Sequence, residues 1–322
     1  MQQRPRRNRK SVGVRNLVRE ISLSASDFIY PLFVQEGDAN EAIDSMPGCK
    51  RWSIPGLVKE AGEAYALGVP AVVIFPAVDD VLKNQTADEC WNDDGLIPRA
   101  IKALKAAHPD LVVVTDVALD PYNSDGHDGV VRDGEIINDE TLEILTKQAI
   151  CHAKAGADIV SPSDMMDGRV SAIRRGLDDA GYAELSILSY TVKYASAYYG
   201  PFRGALDSAP KAGDKKTYQM DFANVSEAVR ETILDEEEGA DMIMVKPAGA
   251  YLDVIVRVKE TTMLPVAAYQ VSGEYLMIKS AAAAGWLDEK AIALESLTAI
   301  KRAGADIILS YFAKEVASWL KG

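Results

Sequence analysis

Two lysines stand where lysine is least expected. Lys246 closes the run Asp241-Met242-Ile243-Met244-Val245-Lys246, with Pro247 behind it, and Lys193 closes Ser189-Tyr190-Thr191-Val192-Lys193. Lysine is among the residues least often fully buried. At the end of an apolar run it either snorkels to solvent or sits in a pocket. Burial disfavours the ammonium form and a second cation nearby disfavours it further, so both lower the pKa. A lysine that is neutral near pH 7 can attack a ketone and form a Schiff base. If the two runs are neighbouring parallel strands, about 5 Å apart, the amines share one pocket and each depresses the other's pKa.

Other polar residues stand at the ends of apolar runs in the same way: Asp116, Ser163-Asp164, Ser272 and Tyr311. After Lys193 the chain reads Tyr198-Tyr199-Gly200-Pro201-Phe202-Arg203 and continues to Met220 through Gly, Pro, Lys and Asp. A connection this long without a strong pattern is a lid or a disordered loop. Its aromatic start argues for a packed lid over about residues 197–220, and Arg203, Lys215 and Lys216 suit a substrate carboxylate.

The elements that must position these groups are legible from punctuation. Ala155-Gly156-Ala157-Asp158, Glu238-Gly239-Ala240-Asp241 and Ala303-Gly304-Ala305-Asp306 each follow a helical pattern and precede an apolar run, and Ala66-Leu67-Gly68-Val69-Pro70 does the same earlier. A glycine in the left-handed region ends a helix and a short turn feeds a buried strand, the punctuation of repeated βα units. Eight strands are predicted: Phe28 to Val34, Ala71 to Phe75, Leu111 to Val117, Ile159 to Ser161, Leu185 to Thr191, Met242 to Lys246, Pro265 to Val271 and Ile307 to Tyr311. Most are continuous apolar runs, as parallel strands covered on both faces should be. Helices are predicted over Asp139 to Ala155, Val225 to Glu238, Leu276 to Ala284 and Asp288 to Ala303. No Gly-rich phosphate turn follows Val34, which argues against an open dinucleotide-binding sheet. The reading is an α/β protein, a (β/α)8 TIM barrel over residues 26–322, whose active site lies where the strands end.

Bulk properties bound the rest. Of 322 residues, 48% are hydrophobic and 26% charged, enough for a large core. No run approaches the roughly 18 to 20 apolar residues of a membrane span, and no apolar segment follows the charged start as in a secretory signal. Three scattered cysteines, Cys49, Cys90 and Cys151, make neither a disulfide framework nor a metal spacing. Together these features predict a cytoplasmic protein. Net charge is −13, yet the first nineteen residues carry Arg4, Arg6, Arg7, Arg9, Lys10, Arg15 and Arg19 and no acid. The acidic body argues against nucleic acid as a partner. Residues 1–25 read as a basic arm that docks on acidic surface, its own or a neighbouring subunit's, with a solvated tail as the alternative.

Several longer strings then carry a family resemblance. Ser161-Pro162-Ser163-Asp164-Met165-Met166-Asp167-Gly168, Tyr199-Gly200-Pro201-Phe202-Arg203, Met244-Val245-Lys246-Pro247 and Val271-Ser272-Gly273-Glu274-Tyr275 resemble the signatures of the porphobilinogen synthase (5-aminolaevulinate dehydratase) family, in order, over essentially the whole chain. The resemblance implies a hydro-lyase of tetrapyrrole and haem biosynthesis that condenses two 5-aminolaevulinate molecules to porphobilinogen with loss of two waters. It implies that Lys246 binds the substrate contributing the propionyl side and Lys193 the acetyl-side substrate. Ser272 and Tyr311 would hold the first carboxylate, with Arg203, Lys215 and Gln219 holding the second. Asp116 would serve as an active-site carboxylate for proton transfer. A homo-octamer built from arm-hugging dimers is also implied.

One loop departs from the pattern. Many family members hold a catalytic zinc on three cysteines after the third strand, and here those positions are Ala118, Asp120 and Asp128. Two carboxylates and a methyl cannot make a thiolate zinc site, so no catalytic zinc is expected. Hard oxygen ligands at Asp120 and Asp128 favour Mg2+ or a monovalent cation, or the loop holds no ion. Glu231 matches the family's allosteric magnesium ligand, although on its residues alone it is an exposed helical glutamate. His127, beside the acidic loop, reads as a packed loop histidine rather than a proton shuttle. The competing readings are a class I (Schiff-base) aldolase-type barrel lyase, a metal-dependent barrel hydrolase, and a binding module built on the arm. The aldolase lacks its phosphate-binding glycines here and the hydrolase its histidines. The binding module leaves two strand-end lysines without a reason.

Overall fold

The computed structural model describes residues 2–206 and 210–321, Arg203 by its backbone alone. The eight apolar runs form parallel strands: β1 (Phe28–Gln35), β2 (Ala71–Ala77), β3 (Val112–Val117), β4 (Ile159–Pro162), β5 (Ser186–Lys193), β6 (Met242–Lys246), β7 (Val266–Gln270) and β8 (Ile307–Ser310). They pair in chain order, and β8 closes on β1 through Phe28↔Ile308 and Ile29↔Leu309. The closed barrel leaves its inner strands no free edge. The glycines of the repeated motif hold positive φ, 102° at Gly156 and 120° at Gly304, which ends each helix as the spacing requires.

Helices cover the outside. In Leu96–Ala107, Leu96, Ile97, Ala100, Ile101 and Leu104 make one buried stripe at helical spacing. It packs on Leu32, Val34, Val72, Ile74 and Val113, outward residues of the first three strands. Each such large side chain contributes about 1.5–3 kcal/mol through burial. The helix predicted from Leu276 begins earlier, at Ser272. The Glu274 carboxylate accepts the Val271 N–H at 2.8 Å and so caps the first turn.

Two small pairings were not predicted. Val130–Arg132 and Glu135–Ile137 form a hairpin between β3 and β4, and Glu41–Ala42 pairs with Lys50–Trp52, which extends the end of β1. Strands of two or three residues leave no periodicity to read. The basic N-terminal segment carries a short turn, Pro5–Arg9, and a helix, Val12–Leu17. Its Val12 and Leu17 side chains face solvent. No helix among the described residues is long and apolar enough to cross a membrane.

His152, on the helix Asn138–Ala155, is buried behind β3 with Nδ1 3.0 Å from the Thr115 hydroxyl. Burial pushes its pKa down from 6.5 to about 3. The unfolded chain therefore takes up a proton near pH 6.5 that the folded chain refuses until about 3, and stability falls as pH falls through that window. The His152→Gln variant should lose less stability to acid across it. Urea unfolding at several pH values checks this, and equal pH slopes in the two proteins would contradict it.

Candidate active site at the strand ends

The C-terminal ends of the strands converge as the barrel requires. β5 and β6 pair as Met242↔Leu188 and Ile243↔Ser189, then slip by one residue to Val245↔Val192 and Lys246↔Lys193. Tyr190 and Thr191 together face Met244. Side chains alternate along a strand, so without this bulge Lys246 would stand beside Val192 and Lys193 would point out of the barrel. The bulge sets Tyr190 and Lys193, three residues apart, on one inner face. It makes the two lysines neighbours.

Their surroundings differ. Lys246 is buried, with Nζ over the rings of Tyr190, Tyr199, Phe202 and Tyr269. Burial, and after it the Lys193 charge, bring its pKa down to about 7. Lys193 Nζ lies 3.4 Å from Asp128 Oδ1 and donates to the Ser163 carbonyl. Half-buried Asp116, on β3, is pushed up to about 7, first by burial and then by Asp120, with Lys193 and a Ser163 hydrogen bond opposing. The sequence reading had the amines acting on each other alike; among the described residues a carboxylate stands beside Lys193 and none pairs with Lys246.

The loop after β3 meets the segment after β5 through charge. Lys215 Nζ reaches Asp128 Oδ2 at 2.7 Å and Asp120 Oδ2 at 3.3 Å. The Tyr218 hydroxyl donates to Asp128 Oδ2 at 2.9 Å. Burial alone would raise the Asp128 pKa, but Lys193, Lys215 and Tyr218 outweigh it and hold the carboxyl well below the usual range. Burial acts on Lys215 to lower its pKa, and the two aspartates more than reverse this. His127 is a packed tie between loop and lid. Its Nδ1 is 3.1 Å from the Tyr218 hydroxyl and its Nε2 2.9 Å from the Ala212 carbonyl.

Three consecutive residues after β7 organise the mouth. The Ser272 hydroxyl accepts the Phe202 N–H at 3.0 Å. A Cβ on Gly273 would lie 2.5 Å from the Tyr198 carbonyl oxygen, so only glycine lets this segment approach. Glu274 also accepts the Gly249 N–H at 2.6 Å and so pins the loop behind Lys246. Tyr311 shares a 2.9 Å hydrogen bond with Tyr269, whose ring faces Lys246. Gln219 is buried with its backbone N–H on the Lys215 carbonyl. Arg203 lies on the helix Gly200–Leu206, and its side chain is outside the described residues.

Glu231 is not part of this cluster. It lies half-buried on the helix Ser226–Glu237, with its pKa raised by burial and then, against Arg169, by Asp235, Asp167 and Glu227. Arg169 is itself buried, bonding Asp235 at 2.9 Å and the Ser189 hydroxyl at 3.1 Å. The sequence reading missed Arg169, Glu274 and the Tyr190 and Tyr269 rings. In a regular strand Tyr190 and Lys193, three residues apart, fall on opposite faces, so only the bulge brings Tyr190 to the site, and the others become neighbours only through the fold.

The sequence profile of the family Delta-aminolevulinic acid dehydratase matches residues 2–319. The chain belongs to the delta-aminolevulinic acid dehydratase family. A chloroplastic delta-aminolevulinic acid dehydratase from Physcomitrium patens is 61% identical over 99% of this chain and 74% of its own length. The chloroplastic delta-aminolevulinic acid dehydratase 1 of Arabidopsis thaliana is 56% identical over 100% and 75%. The crystal structure of the Toxoplasma gondii dehydratase (porphobilinogen synthase), in complex with the reaction product porphobilinogen, superposes with a TM-score of 0.98 at 56% identity, covering 99% of this chain and 92% of that one. An aldolase, QR15, superposes with a TM-score of 0.50 at 13% identity over 93% of this chain and 97% of its own, which shows a shared barrel alone.

The family relatives correct one expectation. Those from moss, soybean, Arabidopsis and Chlamydomonas are named chloroplastic, which points to a plastid rather than the cytoplasm. Free cysteines suit a reducing interior, and they do not separate cytosol from plastid interior.

Proposed function

We infer that the protein condenses two molecules of 5-aminolaevulinate into porphobilinogen with loss of two waters, a lyase step of porphyrin biosynthesis. The observation that carries this reading is the in-register pair Lys193 and Lys246, one of them brought to a pKa of about 7. Lys246, without a carboxylate partner among the described residues, is the amine ready to take the first ketone. Lys193 takes the second. Ser272 and Tyr311 hold the first substrate's carboxylate, and Arg203, Lys215 and Gln219 hold the second's. Asp116, poised near pH 7, takes and returns protons. The residues about 197–220, of which 207–209 lie outside the described residues, act as the lid through Phe202 and Lys215. Sodium cyanoborohydride with 5-aminolaevulinate should fix a substrate-derived mass on Lys246; an adduct on neither lysine would overturn the reading. A class I aldolase would use one such lysine, and the second favours the condensation.

For metals the two candidate places differ. At Ala118, Asp120 and Asp128 no thiolate is present, and the Lys215 ammonium contacts both carboxylates. That donor set does not fit zinc, and Mg2+ or a monovalent cation would have to displace a paired lysine. No group of three His, Cys, Asp or Glu suited to a metal forms among the described residues. Glu231, half-buried on its helix with other acids near it, would hold a hydrated Mg2+ through its single carboxylate. Such an ion would relieve the repulsion on Glu231 from Asp235, Asp167 and Glu227 and act allosterically. Activity should survive phenanthroline and rise with added Mg2+, and Glu231→Gln should lose most of the Mg2+ response while keeping basal turnover. Zinc-dependent activity would defeat the assignment. The exposed Val12 and Leu17 of the basic segment suit an arm laid on a neighbouring subunit, in an octamer built of dimers; sedimentation with and without residues 1–25 tests that.

A further inference from the structure

The aromatic surroundings of Lys246 do more than exclude water. Its Nζ lies over four ring faces, 4.7 Å from the centroid of Tyr269, 4.9 Å from Tyr190, 5.1 Å from Tyr199 and 5.4 Å from Phe202. All four lie within the reach of about 6 Å at which a ring's negative face attracts a cation. Two rings come from barrel strands, β5 and β7, and two from the segment that follows β5. The Tyr190 hydroxyl is buried and has no hydrogen-bond partner among the described residues, so what this residue offers the site is its ring. Lys193 Nζ lies over the Tyr190 ring alone of the four, at 5.9 Å, and has Asp128 and the Ser163 carbonyl at hand.

We propose that these four rings form a cage that binds the protonated imine made at Lys246 through their negative faces. Tyr190, Tyr199, Phe202 and Tyr269 are thereby catalytic residues of the first substrate's activation. The proposal rests on the Schiff-base reading above. In that step the amine lone pair forms the C–N bond, the ketone oxygen is protonated and leaves as water, and the positive charge remains on C=NH+. Amine, ketone and one proton give iminium and one water. A carboxylate beside Nζ would hold the starting ammonium as firmly as the product cation. In an apolar cage the discrimination comes from desolvation, while the ring faces supply the attraction that holds the cation. The compact ammonium loses strong hydration on burial, whereas the larger, delocalised iminium loses less and keeps the same ring attraction. The cage thus favours the cation formed over the cation that must first be deprotonated.

The test uses graded fluorination, which weakens a ring's negative face with little change in its bulk or apolarity. Phe202 is replaced, in the full-length protein, by phenylalanines carrying one, two and three ring fluorines. The probe is 4-oxopentanoate, the substrate without its amino group, trapped with cyanoborohydride near pH 8.5, where the amine is already neutral. The Lys246 adduct is quantified by peptide mass. Its association constant should fall stepwise, by about three- to tenfold across the series, and Tyr190→Phe should keep the adduct that Tyr190→Leu weakens. A flat fluorine series would overturn the cage and leave the rings as simple apolar walls. No adduct at Lys246 in the unmodified protein would instead bring down the Schiff-base reading, and the cage with it.

Discussion

Lys246→Met is expected to abolish turnover while making the folded protein more resistant to urea. The loss of activity should be on the order of 10^4-fold or more, as for removal of a covalent nucleophile, and the borohydride-trapped adduct on this strand should vanish with it. The gain in stability follows from proton linkage. In the unfolded chain the amine titrates near its ordinary value of 10.5, and in the folded chain at about 7. Between those values the unfolded state binds the extra proton, so stability falls as pH falls, and below about 7 the whole penalty is present. Methionine fills the same apolar pocket without a charge to desolvate. Product formation and urea midpoints at pH 7 measure both effects. A variant that retains turnover would sink the mechanism, and one that is inactive but less stable would sink the account of the pocket.

The barrel was legible because its evidence is local. Apolar runs, Gly156, Gly239 and Gly304 after helices, and polar residues at run ends can each be read within a few positions. The pairing of Lys193 with Lys246 was inferred from strand neighbourhood, and the register bears out the juxtaposition. What could not be read was the device that achieves it. A strand ending at Thr191, as the apolar pattern suggested, leaves Lys193 in a loop, whereas the bulge at Tyr190 and Thr191 carries β5 two residues further and turns Lys193 inward. Nor could sequence place Lys215 between Asp120 and Asp128, nearly a hundred residues away, or gather rings from two strands and a lid around one nitrogen. Those contacts exist only once the barrel has closed. Composition also misled on compartment, because cytosol and plastid interior make the same demands on a chain.

Lys193→Ala should separate the two halves of the reaction. Turnover should fall by about 10^3-fold or more, since the second ketone loses its amine. Lys246 should still capture one substrate, because its ring faces and the Ser272 and Tyr311 anchors are untouched. The pH at which it does so should move. After burial, the Lys193 charge is the largest influence lowering the Lys246 pKa, with Asp116, Asp120 and Asp128 acting the other way. Removing Lys193 leaves those carboxylates unopposed, raises the Lys246 pKa and shifts half-maximal adduct formation above the value of about 7. It also strips Asp128 of one of the two lysines that hold its carboxyl low, leaving Lys215 as its ion-pair partner. Trapping 4-oxopentanoate on Lys246 across pH 6 to 10 resolves the shift. An unmoved or lowered midpoint would mean that the two amines do not share one electrostatic pocket, and the paired-lysine assignment would fall even if both residues proved essential.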